Sequence, residues 1–162
     1  MIRHELVERL AAHVTFVPVC PEMEIGLGCP RDPIRVVEKG GQRRLVQPST
    51  GRDVTRRTTG FARRFLDGLG RVDGFILKAR SPSCGIRDVR IFAGPRHVRP
   101  KRLGIGLFAF EVILRFSDKA MEDEAGLADP AARTVFLARL FRRRRLPAEL
   151  ADLGDSGKGR NG

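Results

Sequence analysis

Short apolar runs alternate along the chain with polar breaks marked by glycine or proline, and the spacing inside each run predicts its element. Residues 5–13 carry apolar side chains at positions 6, 7, 10 and 11, a repeat that turns one face of a helix inward. Val14–Val19 is β-branched and aromatic and reads as a buried strand ending at Cys20-Pro21. Three prolines and two glycines make 21–33 a structured loop. The runs 35–37 and 44–46 flank Lys39-Gly40-Gly41, a hairpin signature. Asp53 or Thr55 caps a helix running to about residue 69, with apolar positions at 54, 61, 62, 65, 66 and 69 and a stop at Gly70.

In the second half, Gly74–Ala79 is almost continuously apolar, as in a strand buried on both faces of a parallel sheet. The loop Arg80-Ser81-Pro82-Ser83-Cys84-Gly85 follows it. Val89–Ala93 is a weaker strand, and 94–102 a loop rich in proline and arginine. Ile105–Phe116 reads as a helix introduced by Gly104 and Gly106. Asp129-Pro130 opens a last helix reaching about Arg144, with proline at its first position. Residues 148–162 turn to Gly, Asp, Ser and Asn and read as a frayed, disordered tail. This succession predicts an α/β fold in three layers around a mostly parallel sheet, with a short hairpin and a C-terminal helix. Ligands of such sheets sit beyond the carboxyl ends of the strands. Cys20 and Cys84 each follow a predicted strand. If those strands are parallel neighbours, thiols 64 positions apart share one sheet edge.

Composition narrows the function classes. A length of 162 residues fits one domain, and 41% hydrophobic residues suffice for a core. There is no Trp or Tyr, so large base-stacking platforms are absent and single-strand nucleic-acid binding is weakened. No apolar run approaches the roughly 18 residues of a membrane span. The first residues lack the apolar core of a secretory leader. An odd count of three cysteines then argues for reduced thiols and a cytoplasmic location. The net charge of +12 would attract nucleic acid or other anions. Yet 26 of the 31 basic residues are Arg, which GC-rich coding also produces, so a solvated basic face is the blander account.

Cys20, Cys29 and Cys84 are the candidate metal ligands, because soft sulfur donors favour iron–sulfur or zinc centres. Their spacing matches no ferredoxin or zinc-finger pattern, and a lone cysteine is more often a small buried hydrophobe. The strand-end positions and the Pro/Ser/Gly loops lift Cys20 and Cys84 above that reading. Ser83 and the amides near Gly85 could hydrogen-bond a metal-bound sulfur. Glu22, two residues after Cys20, is placed to act as a general base beside a metal there. Otherwise it is a loop acid or a partner for Arg31. Ser81 and Ser83 are by default turn residues. Gly26-x-Gly28 and Gly104-x-Gly106 complete no phosphate-binding fingerprint. His4, His13 and His97 have no metal spacing.

Val17-Pro18-Val19-Cys20-Pro21-Glu22, followed by Gly26-Leu27-Gly28 and Pro30-Arg31, resembles one hallmark of the thiouracil desulfidase family. Thr50-Gly51 with Asp53-Val54-Thr55 resembles its second block. Leu77-Lys78 with Arg80-Ser81-Pro82-Ser83-Cys84-Gly85 resembles its third. The similarity runs from about residue 10 to about 116, and 127–141 resembles the connector that leads to a second domain in longer members. The resemblance implies a desulfidase-like α/β domain over 1–120, a connector helix over 121–147 and the tail beyond. It implies a 4Fe-4S cluster on three cysteines, whose open iron binds the sulfur of a thiolated pyrimidine as a Lewis acid. A carboxylate activates water, and oxygen replaces the sulfur. Carried over, Cys20 and Cys84 are cluster ligands, Glu22 and Ser83 catalytic, and Ser81 and Arg31 substrate-binding.

Members of that family begin with a strand and a Cys-Leu-Leu-Gly loop that supplies the first ligand, and this chain starts at the following helix. The resemblance therefore implies that one ligand and the first strand of the sheet are missing, and that activity is impaired. Cys29 is the candidate substitute. Two other readings stand beside it. One is a basic RNA- or tRNA-binding module that needs no cluster, and the other is a non-functional gene fragment.

Overall fold

A computed structural model describes residues 2, 4–142, 144–151 and 153. In chain order the elements are α1 (Glu5–Leu10), α2 (Pro21–Glu24), β1 (Arg35–Lys39), β2 (Gln42–Gln47), β3 (Arg52–Asp53), α3 (Thr55–Gly68) and β4 (Gly74–Leu77). There follow β5 (Val89–Phe92), β6 (Arg102–Gly104), α4 (Leu107–Phe116), β7 (Ala120–Asp123), a 3-10 turn (Gly126–Ala128), α5 (Pro130–Leu140) and α6 (Ala148–Ala151). The class is α/β, as the alternation of patterns predicts. Two compact units are present: one of Val19–Arg71 with Lys78–Ser117, the other of the described residues up to Pro18, Val72–Leu77 and those from Asp118 onward.

The first unit holds a five-stranded sheet in the order β3-β2-β1-β5-β6. Gly40 and Gly41 both take positive φ, 57° and 74°, and reverse the chain so that β2 runs antiparallel to β1, with Arg35 opposite Val46 and Lys39 opposite Gln42. β3 and β6 are also antiparallel to their neighbours. Only β1 and β5 run parallel, Val36 level with Ile91. The expected mostly parallel sheet is thus corrected to a mostly antiparallel one. Tight turns can only reverse a chain, and only the long path between β1 and β5 returns a strand in the same direction.

The core of this unit joins Val36, Leu45, Val54, Val89, Ile91 and Leu107 to Ile25 and Ile34, with Leu27 and Phe61 packed against it. Ile25 and Leu27 matter for the site, since they anchor the loop that follows Cys20. α3 turns Thr58, Ala62 and Leu66 inward. Its Phe61 and Phe65 rings stack beside Phe108 of α4, with centroids 5.6–6.4 Å apart.

The second unit is built around β4 and β7, paired in parallel from Gly74–Ala120 to Leu77–Asp123. Its core gathers Leu6, Leu10, Ala120, Leu127, Phe136, Leu137 and Leu150. Gly74 has no room for a side chain, because a Cβ there would lie 2.9 Å from the Ala120 carbonyl oxygen. Asp129 caps α5 by accepting from the Ala132 amide at 2.8 Å, and Pro130 occupies the first helical position.

Three local expectations differ from what forms. Val14–Val19 joins no ladder: Phe16 and Val17 are 41% and 59% exposed, because β-prone residues make a strand only where a partner edge accepts their hydrogen bonds. β7 lies inside the stretch read as a helical connector, too short to reveal a period of its own. Ala148–Ala151 of the expected tail form a helical turn that buries Leu150. Residues 154–162 of that expected tail lie outside the described residues. No described helix is long and apolar enough to cross a membrane.

Candidate functional site

Cys20 is the residue preceding α2, and its carbonyl accepts from the amides of Met23 and Glu24 at 3.0 and 3.1 Å. With Pro21 fixing the first helical residue, this single turn points Glu22 inward while Met23 and Glu24 face solvent. Gly26 and Gly28, at φ of 74° and 72°, bend the chain back so that Arg31 reaches Glu22. Arg31 Nε donates to Glu22 Oε2 at 2.7 Å, and Nη2 forms an ion pair with the same oxygen. Nη1 donates to the Gly28 carbonyl at 2.8 Å, and Nη2 lies 3.9 Å from Cys20 Sγ. Burial works against the Arg31 charge. The hydrogen bond and charge of Glu22 outweigh it, so the guanidinium pKa stands above its ordinary value.

The second half of the site is the loop after residue 79. Arg80 takes φ of 57°, a left-handed conformation costing a non-glycine residue about 1–2 kcal/mol. Hydrogen bonds around it offset that cost. Ser81 Oγ accepts from the amides of Ser83 and Cys84 at 3.3 and 3.1 Å, and the Gly85 amide donates to the Ser81 carbonyl at 2.8 Å. The Ser83 side chain is buried, and its hydroxyl donates to Glu22 Oε1 at 2.5 Å. Ser81 Oγ lies 3.1 Å from Ser83 Oγ and 3.5 Å from Glu22 Oε1.

Cys84 Sγ lies 3.7 Å from Ser83 Oγ. Burial is the main force raising the Cys84 thiol pKa to about 12; the charges of Glu22 and Cys20 add to it, and the bonds from Ser83 and Ser81 oppose it. Arg31 thus links Cys20 to Glu22, and Ser83 links Cys84 to the same carboxylate. Six residues chosen from sequence, Cys20, Glu22, Arg31, Ser81, Ser83 and Cys84, share one site. The seventh, Cys29, lies in the first loop next to Gly28 and is exposed, as Cys20 is. Among the described residues no group of three His, Cys, Asp or Glu could hold a metal. The histidines are dispersed, with His4 capping α1 through Nδ1 at 3.1 Å from the Leu6 amide.

The sequence reading missed the support beneath the second loop. The amides of Gly106, Leu107 and Ala109, at the start of α4, donate to the carbonyls of Gly85, Pro82 and Ser83 at 2.8, 3.2 and 3.0 Å. A signal was there: an apolar helix introduced by Gly-x-Gly, with no Ser, Thr, Asp or Asn to cap it, needs acceptors from elsewhere.

The site thus sets two sulfurs around one braced carboxylate within a single unit of the α/β fold. The profile of the 2-thiouracil desulfurase family matches residues 1–124, and the chain belongs to that family. A solved structure described as the 4Fe-4S-dependent thiouracil desulfidase TudS is similar, with 26% identity, a TM-score of 0.57, and coverage of 83% of this chain and 83% of that one. No curated protein matches.

Proposed function

We propose that the chain replaces the sulfur of a thiolated pyrimidine of the 2-thiouracil kind by oxygen from water. The observation that carries this reading is the Glu22 carboxylate, gripped by Arg31 on one side and Ser83 on the other, beside the two thiols. In balance, the thiolated ring and one water give the oxo ring and hydrogen sulfide. Glu22 takes a proton from the attacking water, whose oxygen forms the new bond to the carbon bearing sulfur. That carbon–sulfur bond breaks, and the sulfur leaves with the protons. Ser83 and Ser81 hold Glu22 Oε1 in place, and Ser81 folds the turn that presents Cys84.

A solved relative is 4Fe-4S-dependent, and the family resemblance implies three cysteine ligands. Here Cys20 Sγ lies beside Arg31 and Cys84 Sγ beside Ser83, the two residues that grip Glu22, and Cys29 is exposed in the first loop. Among the described residues no three such side chains converge into a group that could hold a metal, so the donor set does not fit that cluster. The mechanism above routes no step through it. The same shortfall underlies the expectation of impaired activity, and the free thiols suit a reducing, cytoplasmic compartment.

The test is measurement of uracil and sulfide from 2-thiouracil by the chain as isolated and, separately, after anaerobic iron–sulfide treatment with iron per chain determined. Uracil and sulfide in equal amounts, lost in Glu22→Gln, are expected. Release no faster with the wild type than without protein, in both preparations, would end this reading. A second reading, an RNA-binding module, is favoured by the exposed Arg56, Arg57, Arg63 and Arg64 of α3. It predicts RNA binding that weakens steeply with salt and is unchanged in Cys84→Ser. Negligible binding at low salt would remove it.

A further inference from the structure

We infer that Gly106 is a positioning residue of the site. By carrying no side chain, it lets the first turn of α4 lie against the Pro82–Gly85 backbone, which aims the Ser83 hydroxyl at Glu22 and sets the Cys84 thiol beside that hydroxyl. The inference rests on the desulfidase reading for its catalytic consequence and on geometry for the rest.

The backbone at Gly106 is extended, φ −68° and ψ 158°, which any residue adopts, so dihedral freedom does not explain a glycine there. Space does. A Cβ would overlap the Ser83 carbonyl oxygen and lie 2.6 Å from the Ser83 carbonyl carbon and 3.0 Å from the Pro82 oxygen. These are backbone atoms, and they cannot yield without moving the loop. No side chain caps α4. Its Leu107 and Ala109 amides instead end on the Pro82 and Ser83 carbonyls, and the Gly106 amide on Gly85.

Helix and loop thus satisfy each other's backbone groups. The helix end is itself fixed, since Phe108, Ala109 and Val112 are almost fully buried. Gly104, two residues earlier, behaves differently. A Cβ there would meet the Ile91 Cδ1 at 2.5 Å, a core side chain away from the loop. The Gly-x-Gly pair therefore serves two purposes, and only its second glycine touches the site.

Gly106→Ala in the full chain, with Gly104→Ala as the matched control, tests this. Two quantities are read: alkylation of Cys84 relative to Cys20 in the metal-free chain by mass spectrometry, and kcat and KM for 2-thiouracil. Gly106→Ala is expected to speed Cys84 labelling by about fivefold or more, leave Cys20 unchanged, and lower kcat by up to about 10²-fold with KM nearly constant, as misplacement of about an ångström does. Gly104→Ala is expected to lower the melting temperature and leave both quantities within about twofold.

Unchanged Cys84 labelling in Gly106→Ala, or equal changes in both variants, overturns the inference. Should Gly106→Ala not fold, amide exchange in the wild type decides. Slow exchange at Leu107 and Ala109 supports the inference, and fast exchange there overturns it, because amides of an uncapped first turn are ordinarily open to solvent. A wild type without desulfidase activity whose Cys84 labelling still responds to Gly106→Ala defeats the functional reading and leaves the positioning role standing.

Discussion

In the loop from Cys20 to Arg31 side chains hold the backbone, whereas in the loop from Arg80 to Gly85 backbone groups hold the side chains. The first depends on one guanidinium that reaches Glu22, the Gly28 carbonyl and the neighbourhood of Cys20. Its thiols, Cys20 and Cys29, are both exposed. The second is pinned by amides from α4 and by the Ser81 hydroxyl, and its thiol is half-buried. Glu22 joins the two, accepting from Arg31 of the first and from Ser83 and Ser81 of the second. A carboxylate held from both sides keeps its direction while water and substrate exchange around it, as a general base requires.

The largest effect expected is at the junction. Glu22→Gln keeps the shape and removes the base, so kcat should fall by about 10²–10⁴-fold while the Kd of 2-thiouracil, measured by calorimetry, changes little. A fall below twofold would show that the two loops meet at a carboxylate of no catalytic weight.

Next comes the brace. Arg31→Ala leaves Glu22, whose side chain is only 12% exposed, without its cation, and should cost about 1–3 kcal/mol in urea unfolding. Arg31→Lys keeps the charge but not the fork, and should recover part of that loss. A rise in KM with stability untouched would instead assign Arg31 to the substrate.

A smaller, purely chemical contrast is predicted for the thiols. With the Cys84 pKa raised to about 12 by burial, alkylation near pH 8.5 should be at least about tenfold slower at Cys84 than at Cys20 or Cys29. Equal rates would remove the distinction between an enclosed loop and an open one.

The smallest effect lies away from both loops. Hydrogen bonds from Arg102 and then Lys101 hold the Glu38 carboxyl down from 4.5 to about 2. A depressed carboxyl adds stability that is present above 4.5 and lost as pH falls through about 2. Glu38→Gln should therefore flatten the pH dependence of unfolding in that window, less so at high salt, and leave both loops and neutral-pH activity unaltered.

The hairpin, α3, α4 and α5 were legible because their signals are local: a glycine pair between β-forming runs, an apolar stripe, a proline after a capping aspartate. The site residues were legible as motifs, but the expected reason for their meeting was not the operative one. Cys20 follows no strand. It opens a helical turn instead, and the two thiols share a site because two loops of one unit converge. Val14–Val19 misled for the same reason that β7 was missed, since strand identity depends on partner edges elsewhere in the chain.

Sequence alone determined which atoms are available: three thiol sulfurs, one carboxylate beside the first, two hydroxyls before the last, and the glycines and prolines that make their loops turn. Tertiary structure alone decided which of them act together. It gave Arg31 to Glu22, brought Ser83 within 2.5 Å of the same carboxylate, and seated α4 on the second loop. The reason is that a turn or a helix is fixed by interactions over a few residues, whereas a contact across about sixty residues exists only once the core between them has closed.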